Sequence, residues 1–300
     1  MTTRDDLRNL LARCRVTSGK KFRLADHATD EKGDLDLDKR SAEEWLRGGV
    51  ERLSALHERL FTTDRWAVLC LFQAMDAGGK DGAIKHVFSG LNPAGCQVES
   101  FAAPSGVEKD HDFLWRHVLH LPQRGRIGIH NRSWYEEVLA ARVHPEILQA
   151  QKLPPERVSK AIWDERLEDI AAFERYLGRQ GVIVLKFFLH LGKEEQRQRF
   201  LARIDEPDKN WKLQPSDVRD RERWGDYQDA YEAAIRATAT PEAPWFVVPA
   251  DRKWLARLLV AEALLATLEA LDLRAPEASA EQRAALREVR AALEADAPPA

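Results

Sequence analysis

Gly78, Gly79 and Lys80 sit within Ala74-Met75-Asp76-Ala77-Gly78-Gly79-Lys80-Asp81-Gly82, directly behind the apolar run 67–72. Strand, glycine-rich turn, Gly-Lys and helix are the parts that a Walker A phosphate loop requires in that order. Glycines let successive backbone N–H groups converge on one anion, and the N-terminus of the following helix adds partial positive charge. Lys80 supplies a point charge for the next phosphate, which a plain strand-to-helix turn would not need. Ala77, Gly78, Gly79, Lys80, Asp81 and Gly82 are thus candidate phosphate binders, with Lys85 one turn on as a candidate extension of the positive track. Two positions depart from the pattern. The opening glycine is Ala74, and the Ser/Thr that normally holds Mg²⁺ is Asp81. Asp76 offers a carboxylate inside the loop instead, which makes sense where it holds a cation, Mg²⁺, or accepts a proton.

A second cluster follows a short apolar run: His130-Asn131-Arg132-Ser133-Trp134-Tyr135. Asn131 occupies the place of the Walker B carboxylate and can ligate or orient water but cannot act as a base. Arg132 has a planar fork suited to bridging two phosphoryl groups. Asp76, Lys80 and Arg132 form the candidate catalytic set. Glu136 and Glu137 lie one turn on, as candidates for positioning Mg²⁺ or an acceptor phosphate; Phe101 and Pro104 are candidates for a base pocket, with core packing the competing role for Phe101. Further along, 193–223 carries nine Lys/Arg and eight Asp/Glu. Such a mixture is ordinarily a solvated surface, yet Arg199 and Arg203 share a helical face, as do Lys209 and Lys212 if that turn is helical. Pro207 between them gives helix, break, helix, a shape that can close over a chain of phosphates.

The elements that must position these residues are legible as changes of period. Residues 1–40 read as an irregular polar leader. Ser41 and Glu44 form a capping box that opens an amphipathic helix over 42–60. Strands are expected at 67–72, 97–101, 126–130, 182–189 and 245–248, with helices at 79–88, 109–120 and 252–271, and with helical sequence after the third strand continuing to about 177, broken near Pro145 and at Pro154-Pro155. Five short apolar strands separated by helices imply an α/β fold with a parallel sheet covered on both faces. The division expected is a leader and helix at 1–60, a core at 61–272 with a lid at about 193–237, and a helical tail at 273–300 with a frayed end.

Composition bounds the rest. The 300 residues carry 46 Lys/Arg and 49 Asp/Glu, a formal charge of −3, which argues against a general nucleic-acid binder. Cys14, Cys70 and Cys96 share no short spacing, so neither a disulfide framework nor a zinc site is expected. Of His111, His117 and His120 only the last two share a face, and no carboxylate or Cys completes a metal set, so packing or surface roles are expected. The N-terminal stretch lacks an apolar signal segment, and no apolar run is long enough to span a membrane. A cytoplasmic protein without membrane or nucleic-acid partners is the expectation.

Four segments, FQAMDAGGKDGAIKHV, HNRSWYEEVL, KFFLHLGKEEQRQRFLARIDEPDKNWKL and VVPADRKWLARLL, resemble in sequence and order the family 2 polyphosphate kinases, over roughly residues 20–270. That resemblance implies a P-loop kinase fold like that of thymidylate kinases, three-layered, with a five-stranded parallel sheet and a mobile helical lid. It implies Mg²⁺-dependent phosphoryl transfer between inorganic polyphosphate and a nucleotide, with polyphosphate gripped by the loop and by lid Arg and Lys, and the nucleotide opposite. Many relatives have Asp where this chain has Asn131; Asn-Arg-Ser is similar to the branch acting on both AMP and ADP. Adenine nucleotides are the implied partners, guanine nucleotides being left open, in a homodimer or homotetramer. Two alternatives remain: an ATP-dependent nucleoside monophosphate kinase, which shares loop, sheet and lid, and a non-catalytic nucleotide-binding switch, which the charged lid with two Arg on one face disfavours.

Overall fold

The computed structural model describes residues 3–274 and 278–295. Helix α1 (Arg4–Cys14) and strand β1 (Arg15–Val16) come first; α2 (Lys39–Thr63) leads into β2 (Ala67–Gln73), and α3 (Lys80–Phe88) into β3 (Cys96–Ser100). Short helices α4 (Trp115–Val118), α5 (Ala140–Val143) and α6 (Pro145–Gln149) flank β4 (Ile127–Asn131). Then follow α7 (Ile162–Arg179), β5 (Val182–His190), α8 (Lys193–Asp205), α9 (Pro215–Glu222), α10 (Trp224–Thr238), β6 (Trp245–Pro249), α11 (Lys253–Glu269) and α12 (Ala280–Ala295).

The sheet order is β1-β6-β5-β2-β4-β3, with β2 to β6 all parallel. Period-2 alternation sorts β2 between two cores. Val68, Cys70 and Phe72 face a core built with α1, α2, α3 and α11, whereas Leu69 and Leu71 face one built with α7 and α10. The two cores make three layers, and all five parallel strands end at one rim. Ligands bind in α/β proteins outside those carboxyl ends, and every loop discussed below leaves from there. No helix among the described residues is long and apolar enough to cross a membrane.

Four expectations need correction. The sheet has a sixth strand, the two-residue β1, paired antiparallel with β6 at its edge. Residues 1–40 are not an irregular leader throughout: α1 opens on a capping box of Thr3 and Asp6 and buries Leu7, Leu10, Leu11 and Cys14. These lie three and four apart, one helical face, while Arg4 and Arg8 on the charged face each pair with Glu262 of α11 at 2.9 Å. At 109–120 a continuous helix gives way to a 3₁₀ turn at Gly106–Asp110 and the single turn of α4. The α2 cap is Asp38, whose carboxylate accepts from the Ser41 amide at 2.8 Å, so that helix starts earlier than a Ser41 cap implies. The C-terminal α12 has no buried residue; the expected frayed end, 297–300, lies outside the described residues.

Candidate active site

Behind β2 the chain turns sharply at Ala74–Gly79, and the geometry accounts for its residues. Ala77 (φ 60°) and Gly79 (φ 97°) are left-handed, and the Gly78 amide donates to the Met75 carbonyl at 2.9 Å. A Cβ on Gly78 would sit 2.5 Å from the Ala74 Cβ and 2.8 Å from the Met75 oxygen. Only glycine fits there. Gly79 caps α3, so the loop ends on the helix N-terminus. Lys80 Nζ folds back to donate to the Ala74 carbonyl at 3.1 Å. Burial, and then the Arg132 guanidinium, pull its pKa below the usual lysine value, against the pull of Asp76, Glu136 and Asp81.

Asn131 ends β4 beside Phe72 of β2, and its side-chain amide donates to Asp81 Oδ1 at 2.6 Å. The position that usually carries a hydroxyl is therefore a carboxylate steered by an amide. Arg132 is left-handed at φ 67°, which is strained for a residue with a side chain, of order 1–3 kcal/mol. Its amide donates to the Phe72 carbonyl at 3.0 Å, and its guanidinium reaches to 3.8 Å from Asp76 Oδ1. Glu136 and Asp76 raise its pKa further, the first most strongly, against its burial.

Two clefts meet at this pair. The larger, about 640 Å³, runs from the loop across α3 and the first turns of α11 to the lid. Eight Lys/Arg and four Asp/Glu line it, so a chain that is net acidic presents a basic trough. The smaller, about 320 Å³, lies toward α5, α6 and α10; five Asp/Glu and three Arg line it, together with Tyr227 and Tyr231. Asp76, Phe101, Ala102 and Arg132 border both.

The sequence-derived candidates fall into three groups. Asp76, Ala77, Gly78, Gly79, Lys80, Asp81, Gly82, Asn131, Arg132, Arg199, Arg203 and Phe101 all line the larger cleft. Of these, Arg199 is 7% exposed, and its guanidinium is taken up by the carbonyls of Ala77 (2.9 Å), Ala250 (2.6 Å) and Asp251 (3.1 Å) and by Glu195 (2.8 Å). It straps the lid helix to the loop. Glu137 borders only the smaller cleft and is buried, with Gln151 at 2.5 Å and the guanidiniums of Arg166 and Arg116 at 3.5 and 3.8 Å. Desolvation raises its pKa, against the pull of Arg166. Lys85 lines neither cleft and is exposed. Five residues past Lys80 is about 140° around a helix, so its stem points away from the loop.

Sequence reasoning passed over Lys253 and Arg257, which line the larger cleft from the first turns of α11. Burial, and then the charge of Arg199, lower the Lys253 pKa. A signal existed: the two are four apart at the start of a helix that follows a parallel strand, where the rim rule puts ligands.

The sequence profile of the Polyphosphate kinase 2 (PPK2) family matches residues 36–276. The chain is 52% identical over 248 residues to an ADP-polyphosphate phosphotransferase of Rhodopseudomonas palustris, covering 82% of this chain and 86% of that one. It is 43% identical over 263 residues to an AMP/ADP-polyphosphate phosphotransferase of Meiothermus ruber, covering 88% and 94%. Its fold superposes on the crystal structure of polyphosphate kinase 2 from Arthrobacter aurescens TC1 with a TM-score of 0.82 at 37% identity, over 91% of this chain and 95% of that one. With the loop, the rim and the two clefts in the geometry described, the chain belongs to the polyphosphate kinase 2 family of phosphotransferases.

Proposed function

We propose that this protein transfers a phosphoryl group between inorganic polyphosphate and AMP or ADP, with Mg²⁺ as the cation. The observation that carries this reading is the pair of clefts of opposite charge bias sharing a border at Asp76 and Arg132. Polyphosphate has about one negative charge per phosphate and no side groups, so backbone N–H groups and cations must recognise it; the basic trough offers both. The nucleotide, with fewer charges and an aromatic base, would enter the smaller cleft, lined by Tyr227 and Tyr231. Its reactive phosphate oxygen is already ionised at neutral pH, so little base catalysis is required. The residues align two anions and neutralise charge that grows on the transferring group. Lys80 and Arg132, which both line the larger cleft with Asp76, would stabilise its equatorial oxygens.

Asp76 and Asp81 both open on the larger cleft. A small hard cation is ordinarily held by one or two carboxylates plus phosphate oxygens, so this donor set fits Mg²⁺. Among the described residues no group of three or more His, Cys, Asp or Glu is placed to hold a metal by itself, and the remaining ligands would come from substrate. Bound there, Mg²⁺ would neutralise charge on the phosphate oxygens. Asn131 holds Asp81 in place, and the lid, 193–237, excludes water from a donor that hydrolysis would waste.

The relatives named above support the nucleotide assignment, and Leu286, Val289 and Leu293, exposed along α12, offer an apolar stripe on which copies of this chain, two or four in the reading proposed for a cytoplasmic enzyme, would assemble. The deciding experiment supplies Mg²⁺ and ADP or AMP with either polyphosphate or ATP, and follows the products. ATP from ADP and polyphosphate is expected, lost on chelation. Lys80→Ala should lower turnover about 10²–10³-fold with the fold intact by circular dichroism. Normal turnover by that variant, or AMP phosphorylation from ATP alone, would overturn the reading.

A further inference from the structure

Beneath the strained turn lies a polar cluster sealed into the core between the sheet and α7 and α10. Lys186, midway along β5, is fully buried. Its Nζ donates to Glu174 Oε2 at 2.5 Å and to the Thr238 carbonyl at 2.7 Å. The other Glu174 oxygen, from α7, accepts from the Tyr135 hydroxyl at 2.7 Å and the Trp134 indole at 3.3 Å. The Thr238 hydroxyl, at the end of α10, lies 2.8 Å from the Tyr135 hydroxyl, donates to the Ala234 carbonyl and accepts from the Trp245 indole at 2.9 Å. None of these side-chain polar atoms is among the buried ones without a partner.

Such a cluster calls for an explanation other than stability, because a buried ion pair is often no more stabilising than apolar residues of the same volume. Its best attested use is to fix position. The residues fixed here are Trp134 and Tyr135, both wholly buried and two and three places after Arg132. A left-handed residue with a side chain persists only where its surroundings leave it no alternative. On one side the Arg132 amide is tied to Phe72 and the Asn131 carbonyl to the Phe101 amide at 3.0 Å. On the other side the cluster pins the chain, together with the Ser133 hydroxyl, which accepts from Gln73 and from the Tyr135 amide at 3.3 Å, and the Tyr135 carbonyl, which accepts from the Leu139 amide at 2.9 Å. We infer that Lys186, Glu174 and Tyr135 are positioning residues that hold the 131–135 turn so that Arg132 projects to the border between the two clefts. The inference rests on the role proposed for Arg132. The same cluster grips Thr238, the last residue of α10, the helix with which the segment 193–237 ends.

The test is a double-mutant cycle. Glu174→Gln with Lys186→Met removes both charges at similar volume, and Tyr135→Phe removes one hydroxyl; each is made alone and with Arg132→Ala. For the neutral pair we expect kcat for ADP phosphorylation to fall about 10–100-fold, with KM for polyphosphate within about twofold. In the Arg132→Ala background the same changes should cost less than about twofold more. A folded variant with native kcat, or losses that multiply across the cycle, would overturn the inference. If the neutral pair does not fold, Tyr135→Phe answers through the same cycle. A crystal structure separates this failure from failure of the functional reading. Arg132 leaving the left-handed region in either variant supports the positioning whatever the substrate, and an unmoved Arg132 sinks it even if polyphosphate is confirmed.

Discussion

The two walls of the larger cleft are built on different principles. The loop wall is backbone: Ala77 to Gly82 present amides fixed by left-handed residues, by the Gly78–Met75 bond and by the N-terminus of α3. The lid wall is side chains: Arg203, Lys209 and Lys212 on α8 and the 3₁₀ turn Pro207–Lys212, which has no buried residue. That turn is held chiefly by its own neighbourhood, Asn210 donating to the carbonyls of Arg203 and Ile204 at 2.6 and 2.9 Å and Arg203 to the Lys212 carbonyl at 3.0 Å. Trp211 stands 73% exposed beside it. Firm anchorage resumes at α9, where Asp220 meets His144 of the body at 2.6 Å. Segments with few buried contacts open at low free energy. A wall fixed by its backbone thus faces one whose turn has no buried residue and opens at low free energy.

The sharpest way to break this comparison is to strain the rigid wall. Gly78→Ala places a methyl against the Ala74 Cβ and a backbone oxygen, neither of which can swing away. The loop must shift, and a displacement near 1 Å in a positioning element costs about 10²-fold in rate. We expect kcat/KM to fall by about that factor, with global stability lowered by roughly 1–3 kcal/mol. Adding Ala74→Gly removes one of the two clashes and should restore part of the loss. Near-native activity of Gly78→Ala would show that the loop is no fixed cradle.

Arg199 and Arg203, one turn apart, sharpen the contrast because they fall on opposite sides of it. Arg199 belongs to α8 by sequence but to the loop wall by bonding. Arg199→Ala leaves the carbonyls of Ala77, Ala250 and Asp251 without this donor and should destabilise by roughly 2–4 kcal/mol in urea unfolding. Arg203, with 22% of its side chain exposed and its carboxylate partner Asp217 at 3.8 Å, should cost under about 1 kcal/mol when replaced by Ala. Its loss should instead raise KM for polyphosphate about three- to tenfold and flatten the dependence of that KM on salt. The reverse pattern, a stability loss at Arg203 and a pure KM effect at Arg199, would dissolve the distinction between walls.

The same pair shows what the sequence made legible. The loop is legible because its chemistry is contiguous: glycines, lysine and helix follow one another within nine residues. Strands β2, β5 and β6 are legible because burial on both faces leaves nearly uninterrupted apolar runs, whereas the edge strand β3 is half-exposed and shows only alternation. Arg199 and Arg203 look alike on a helical wheel, and only the fold, by bringing Ala77 and Ala250 beside one of them, tells them apart. Lys253 and Arg257 join the cleft across more than 170 residues, and Lys186 stands in the clearest strand with nothing nearby to announce Glu174. Helix α1 was hidden by its charged face. The expected helix at 109–120 fails because its residues are used differently: Arg116 and His117 are buried, and the chain makes two short turns around them.

Those turns supply the smallest effect and a test of how dry the backing of the rigid wall is. Phe101 borders both clefts, and behind it lie the rings of His117, centroids 4.1 Å away, and His130, 4.9 Å away. His117 is fully buried, and neither ring nitrogen has a hydrogen-bond partner. Burial pushes its pKa down to about 2, with Arg116 adding to the effect, and burial pushes His130 down to about 4 despite its bond to the His120 carbonyl. The sign follows from linkage. Below the ordinary value of 6.5 the unfolded chain takes up protons that the folded one refuses, so both histidines contribute stability above pH 6.5 that is lost as pH falls toward their folded values. Each contributes a slope of up to about 1.4 kcal/mol per pH unit in that window. His117→Leu keeps the volume, breaks no hydrogen bond and removes one of the two protons. Unfolding followed at pH 8, 6 and 5 should show the variant within about 1 kcal/mol of the native protein at pH 8. Its fall toward pH 5 should be shallower, and its kcat at pH 8 within about twofold of native. Parallel curves would mean that water reaches His117 in the folded state, and the wall behind Phe101 would then be as soft as the lid it faces.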